Sequence, residues 1–204
     1  MCSTCTIFFA PAWYRKLAQS GVSHQPGGAT DDSLRRATAI RLVAFDVDGV
    51  LTNGALILGA DGQEFKVFHV HDGLGLVMLR ESGVHVAVIS ARESRVVEER
   101  MAALGITHIC QGRADKGAAL SKLMRDLNVT PAQTAYVGDD LVDLPALALA
   151  GLAIAVADAH PVVRERAAWV TENPGGRGAV REVCELILRA QGALDSCYRR
   201  YLAP

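Results

Sequence analysis

Two short acidic clusters are the most chemically suggestive features of the sequence: Asp46-Val47-Asp48-Gly49-Val50-Leu51-Thr52 and Gly138-Asp139-Asp140-Leu141-Val142-Asp143. Neither contains a Lys or an Arg. Brought into one cleft, Asp46, Asp48, Asp139 and Asp140 would repel one another, and a divalent cation removes that conflict. A few hard oxygen ligands with room for water and an anion suit Mg²⁺. Ser90 and Lys116 lie between the clusters. A hydroxyl and an ammonium there can hold the oxygens of an anion by hydrogen bond and by charge. One Asp after a strand is commonly a turn or cap residue. Two acidic clusters with a Ser and a Lys between them point instead to phosphoryl chemistry.

These residues sit at the ends of a regular series of elements. Ile40–Phe45, Val84–Ile89, Thr107–Cys110, Thr134–Val137 and Gly151–Val156 are short, mostly apolar runs. Such runs suit strands buried on both faces, as in parallel sheets. Between them the apolar residues recur at helical spacing, over Gly73–Ser82, Glu93–Leu104, Lys116–Leu127 (capped by Asp115), Leu141–Ala150 and Gly178–Ala190. The alternation predicts a doubly wound, mostly parallel α/β sheet. In such sheets ligands sit beyond the carboxyl ends of the strands, where the acidic clusters and Ser90 stand, with Lys116 opening the helix after the third run. Leu56–Leu58, a Gly59–Gly62 turn and Gln63–Val70 interrupt the alternation and read as a β-hairpin.

The chain has 204 residues, one domain with an appendage. Three parts are expected: a flexible N-terminal extension over 1–39, the α/β domain over 40–194, and a C-terminal tail over 195–204. With 21 Lys and Arg against 22 Asp and Glu the net charge is −1, which argues against a nucleic-acid partner. No apolar run approaches the roughly 20 residues that cross a bilayer, so no membrane partner is expected. The opening residues do not read as a secretory signal, because Arg15 and Lys16 follow the apolar stretch rather than precede it. A cytoplasmic protein with reduced thiols is expected, with Cys2 and Cys5 an incidental pair.

The stretches Asp46-x-Asp48-Gly49-Val50-Leu51-Thr52, Ser90, Lys116 and Gly138-Asp139-Asp140-x-x-Asp143 resemble, in order and type, the four motifs of the haloacid-dehalogenase-like phosphatases. Phe68-His69-Val70-His71-Asp72-Gly73, Ala155–Pro161 and Gly175–Glu182 narrow the resemblance to the branch acting on an eight-carbon keto-deoxy sugar-acid phosphate, which feeds lipopolysaccharide assembly. The resemblance implies that Asp46 is the nucleophile, forming an aspartyl-phosphate, and that Asp48 is the general acid and base. It implies Mg²⁺ held by Asp46, Asp139 and the backbone carbonyl of Asp48. Ser90 and Lys116 would hold the phosphoryl group, with Asp140 and Asp143 orienting metal waters and Lys116. Substrate contacts would come from Asp48, His69, His71, Asp72, Gly73, Arg92, Arg100 and Lys116, with Arg177 and Arg181 in a tail motif that reaches towards an adjacent site. There is no cap domain. The branch forms homotetramers in which the hairpin builds the central contact and a neighbouring subunit covers the site.

Two positions depart from the branch: His71 stands where Arg is usual, and Val77 where a basic residue is frequent. Both bear on the sugar, so a nine-carbon sugar-acid 9-phosphate is the alternative substrate. A receiver-like phospho-switch is the alternative of another class. It shares the acidic cluster, the hydroxyl and the Lys, but has no use for a proton donor at Asp48.

Overall fold

A computed structural model describes residues 29–202 of the chain. Cys2, Cys5 and the segment around Trp13 lie outside the described residues. The core is a six-stranded sheet of β1 (Leu42–Phe45), β4 (His85–Ile89), β5 (His108–Cys110), β6 (Thr134–Gly138), β7 (Leu152–Ala155) and β8 (Trp169–Val170). Its order is β5-β4-β1-β6-β7-β8, and every neighbouring pair is parallel. β1, β6 and β7 are buried along their whole length, as expected of strands covered on both faces.

Helices supply the crossovers, α2 (Val70–Glu81), α3 (Arg95–Ala103), α4 (Lys116–Asp126), α5 (Leu144–Leu149) and α6 (Pro161–Arg166), and α7 (Ala179–Ala190) follows the last strand. α2 packs on α7, and α4 on α5. The side chain of Asp115 accepts from the Ala118 N–H and caps α4 at 2.9 Å.

Strand register sets the chemistry. Phe45 of β1 is level with Val88 of β4 and Val137 of β6. Asp46 therefore leaves the sheet between the ends that carry Ser90 and Asp139. The chain order reverses at β1, which places the ligand crevice there.

Several boundaries differ from the sequence reading. Residues 31–37, expected within a flexible extension, form α1 (Asp31–Ala37), with Ala37 and Ser33 buried against the domain. Thr30 caps it, acidic residues occupy its first turn and basic residues its last. The expected tail contains α8 (Leu194–Leu202), which buries Leu194 and Cys197. The Tyr198 hydroxyl donates to Glu185 at 2.8 Å, and Arg200 pairs with Glu81 at 2.6 Å. The hairpin is shorter than expected: β2 (Ile57–Leu58) pairs with β3 (Glu64–Phe65), and the Gly59 N–H donates to Gln63 O at 2.7 Å next to them. α2 then starts at Val70 rather than Gly73 and takes His71 and Asp72 into its first turn. Leu141–Asp143 is a 3₁₀ turn ahead of α5, and α6 and β8 were not foreseen.

Candidate active site

Asp46 is 5% exposed at the carboxyl end of β1. Its Oδ1 lies 2.8 Å from the Nζ of Lys116, whose side chain is 1% exposed. That ammonium also donates to Asp143 Oδ1 at 2.7 Å. Asp143 is buried, and both its oxygens are occupied: Oδ1 also accepts from the Tyr136 hydroxyl at 2.7 Å. Oδ2 accepts from the backbone N–H groups of Asp139 and Asp140 at 2.9 and 3.2 Å. Asp143 thus fixes Lys116 and the turn that carries Asp139. Asp140 caps the 3₁₀ turn, its Oδ1 accepting from the Leu141 N–H at 2.7 Å.

The two acidic clusters meet in space. Carboxylate oxygens of Asp46, Asp139 and Asp143 lie within 4.8 Å of one another. Burial, and then the charge of Asp143, push the Asp46 carboxyl up to about 6 despite Lys116. Burial and the neighbouring Asp46 and Asp143 push Asp139 up to about 8. Burial disfavours the Lys116 ammonium, yet Asp46 and Asp143 outweigh it and hold its pKa above the usual value. Asp139 Oδ1 is buried and accepts no hydrogen bond. A buried acceptor without a donor, beside a second crowded carboxylate, fits an oxygen ligand of a hard cation. Asp46 and Asp139 fit that role; Asp143, with both oxygens engaged, fits it less well.

Close backbone approaches close the site. Gly49 has φ +97°, and a Cβ there would stand 2.0 Å from Asp139 Oδ2. Gly175 lies against the Gly49 carbonyl, where a Cβ would come within 1.7 Å, and the Gly176 N–H donates to Val50 O at 2.9 Å. Asp158 holds this crossing segment through the Gly175 N–H at 2.9 Å. The 155–161 and 175–182 stretches singled out in the sequence therefore brace the catalytic loop from behind.

Ser90 is buried at the end of β4, and its Oγ accepts from the Arg92 N–H at 3.1 Å. The expected substrate contacts divide. Asp72 is engaged structurally: its oxygens accept from the Gly178 and Arg181 N–H groups at 3.2 and 2.8 Å and cap α7, leaving little capacity for a sugar. Gly73 makes room for Arg100, whose Nη2 would lie 2.4 Å from a Cβ there. The Arg100 guanidinium sits 5.9 Å from the centre of the Phe68 ring. His69 and His71 stack edge to face at 4.9 Å and line a cavity with Arg177 and Arg181. Arg181 pairs with Glu185 at 2.5 Å. Arg92 pairs with Glu64 at 3.0 Å.

Three residues at the site were absent from the sequence reading. Tyr136 is a fully buried phenol on Asp143. Glu64 and Lys66 come from the hairpin, and the Lys66 ammonium contacts Asp48 Oδ1. The signal was the alternation Glu64-Phe65-Lys66-Val67, which marks one polar face without telling which way that face turns.

The chain matches the haloacid dehalogenase-like hydrolase family over residues 103–182. It is 49% identical over 169 residues to the 3-deoxy-D-manno-octulosonate 8-phosphate phosphatase of Escherichia coli K12, covering 83% of this chain and 90% of that one. The structure of the corresponding Yersinia pestis phosphatase superposes with a TM-score of 0.81 at 48% identity, over 82% of this chain and 90% of that one. The Moraxella catarrhalis phosphatase, solved with magnesium, phosphate and its sugar acid, superposes with a TM-score of 0.83 at 43% identity, over 85% and 99% of the two chains.

Proposed function

The chain belongs to the 3-deoxy-D-manno-octulosonate 8-phosphate phosphatases, a branch of the haloacid dehalogenase-like hydrolases, and we propose that it hydrolyses that sugar-acid phosphate to phosphate and the free acid, a lipopolysaccharide precursor. The carrying observation is the Asp46 carboxylate, held by Lys116 and set beside Asp139, whose Oδ1 has no donor.

Mg²⁺ is the cofactor, and Asp46, Asp139 and the Asp48 carbonyl would hold it. When bound it offsets the repulsion between an anionic nucleophile and an anionic ester. Asp46 attacks phosphorus as the bond to the sugar oxygen breaks. The Asp48 carboxyl gives its proton to that departing oxygen. In the second half, Asp48 takes a proton from the water that attacks the aspartyl-phosphate, and Asp46 is restored. Lys116 and Ser90 hold phosphoryl oxygens. Arg92, Arg100, His69 and His71 are the side chains placed to read the sugar acid, and a guanidinium suits its carboxylate.

The hairpin supports a homotetramer. Its apolar residues Leu56, Ile57, Leu58, Phe65 and Val67 are 47–66% exposed, more than a strand of a lone domain ordinarily leaves open to water. A second copy of the hairpin would cover them, and the neighbouring subunit would close the site. Among the described residues no helix is long and apolar enough to cross a membrane, and the reading places the enzyme in the cytoplasm.

The test is phosphate release with Mg²⁺ from a panel of eight-carbon and nine-carbon keto-deoxy sugar-acid phosphates and simple hexose phosphates. Preference for the eight-carbon acid is expected. Preference for the nine-carbon acid would make His71 and Val77 the deciding departures. A single phosphoryl transfer without turnover would mark a phospho-switch and overturn the reading.

A further inference from the structure

Resting on that phosphatase reading, we propose that Lys66 is a positioning residue for Asp48: the hairpin reaches into the site and fixes the carboxyl that exchanges the proton.

Lys66 lies just beyond β3, in a segment whose neighbours Phe65 and Val67 are 53% and 62% exposed, yet its side chain is 1% exposed. An ammonium is buried so deeply only when carboxyl oxygens receive it. Two do. Lys66 contacts Asp48 Oδ1, and Glu64 Oε1 lies 3.4 Å away. Glu64 is itself anchored to the segment after β4, accepting from Ser94 Oγ at 2.6 Å and Arg92 Nη2 at 3.0 Å. A continuous line of charge-assisted contacts thus runs from the β4–α3 connection through Glu64 and Lys66 to Asp48. Along it, guanidinium, carboxyl, ammonium and carboxyl groups alternate from Arg92 through Glu64 and Lys66 to Asp48.

The arrangement distinguishes the two oxygens of Asp48. Oδ1 is taken by Lys66. Oδ2 has Arg92 Nε at 3.8 Å, beyond hydrogen-bond distance. Oδ2 is therefore left as the atom that delivers the proton to the sugar oxygen and later accepts one from water. Proton transfer depends steeply on such placement.

The experiment compares K66M with the wild type on an aliphatic sugar phosphate, whose leaving oxygen needs a proton, and on p-nitrophenyl phosphate, whose leaving group departs without one. For K66M, kcat/KM on the sugar ester, which reports the steps up to formation of the aspartyl-phosphate, is expected to fall by about 10-fold or more, and kcat/KM on the aryl ester to stay within about 3-fold, because hydrolysis of the aspartyl-phosphate is common to both and lies outside that ratio. K66R is expected to recover part of the loss. In a D48N background, K66M should cost less than about 2-fold more on the sugar ester, because both changes act on one group. E64Q keeps the ammonium and weakens its anchor; it should show the same selectivity at smaller size, and it carries the test should K66M fail to fold. Equal losses of kcat/KM on both esters, a rise in KM alone, or full additivity with D48N would overturn the proposal. A wild type that ignores the sugar-acid phosphate but turns over other aliphatic phosphates would overturn the substrate assignment alone, and the ester comparison would then be made on those.

Discussion

Burial and the charge of Asp143 raise the affinity of Asp46 for protons, burial with Asp46 and Asp143 raises that of Asp139, and the combined effect has a measurable sign. Their folded values, about 6 and about 8, exceed the ordinary 3.8. The folded metal-free chain then binds more protons than the unfolded chain over this window, so the stability these two groups contribute is fully present below about pH 4 and is lost as pH rises through about 6 and about 8. Mg²⁺ needs the deprotonated carboxylates, so its stabilisation grows in the same direction. Thermal unfolding in a chelator should show the midpoint falling from about pH 5 to about pH 8, with Mg²⁺ restoring more at the alkaline end. Identical pH slopes with and without Mg²⁺ would reject the pairing. Asp46→Asn should lower turnover by about 1,000-fold or more while the fold is kept, read by phosphate release and circular dichroism. Retained turnover would remove Asp46 from the nucleophile's role.

Loops and the hairpin matter at the next level up. Gly49 permits the catalytic loop to touch Asp139, because its φ of +97° and the 2.0 Å approach exclude a side chain. Gly49→Ala should therefore displace Asp139 and cut Mg²⁺-dependent activity by about 100-fold or more; a variant with normal Mg²⁺ response would show that the loop has room. The hairpin turns Glu64 and Lys66 towards the site and leaves Leu56, Ile57, Leu58, Phe65 and Val67 exposed. The proposed tetramer built on the hairpin predicts that Leu58→Glu gives a smaller mass in light scattering coupled to size exclusion; an unchanged mass would reject the hairpin as the subunit contact. Both elements were partly legible in the sequence. The acidic motifs and Ser90 marked strand ends because apolar runs stop abruptly there, and Lys116 marked a helix start. The direction of the hairpin was not legible: alternation defines two faces, whereas inside and outside depend on what the chain packs against.

In the molecule as a whole, the six-stranded sheet and its helices carry Asp46, Ser90, Lys116 and Asp139, the hairpin adds Glu64 and Lys66, and α1 and α8 take part in the packing. α1 was missed because it lies next to a polar, glycine-containing stretch, although Thr30, Asp31, Asp32, Arg35 and Arg36 have the order of a capped helix. β8 has two residues, too few for any periodic signal. α1 gives the domain more than its seven residues suggest, since the Gln191 side chain donates to Ile40 O at 2.7 Å and to Ala37 O at 3.3 Å. Deleting residues 1–28 should leave the unfolding midpoint and turnover unchanged, whereas deleting 1–39 should lower the midpoint by about 5 °C or more. Differential scanning fluorimetry on the two truncations decides between α1 as part of the domain and α1 as an ornament.

The position of α1 also has a practical side. Arg36 Nη1 donates to the Gly151 carbonyl at 2.8 Å, just ahead of β7, and the Arg41 N–H donates to Gln133 O at 2.8 Å, just ahead of β6. Both contacts lie where strands enter the sheet, while Asp46, Ser90 and Asp139 lie where strands leave it. A purification handle, a fluorescent fusion or a surface tether joined ahead of Asp31 would hang from the far side of the molecule and leave the mouth of the catalytic crevice open to incoming ester.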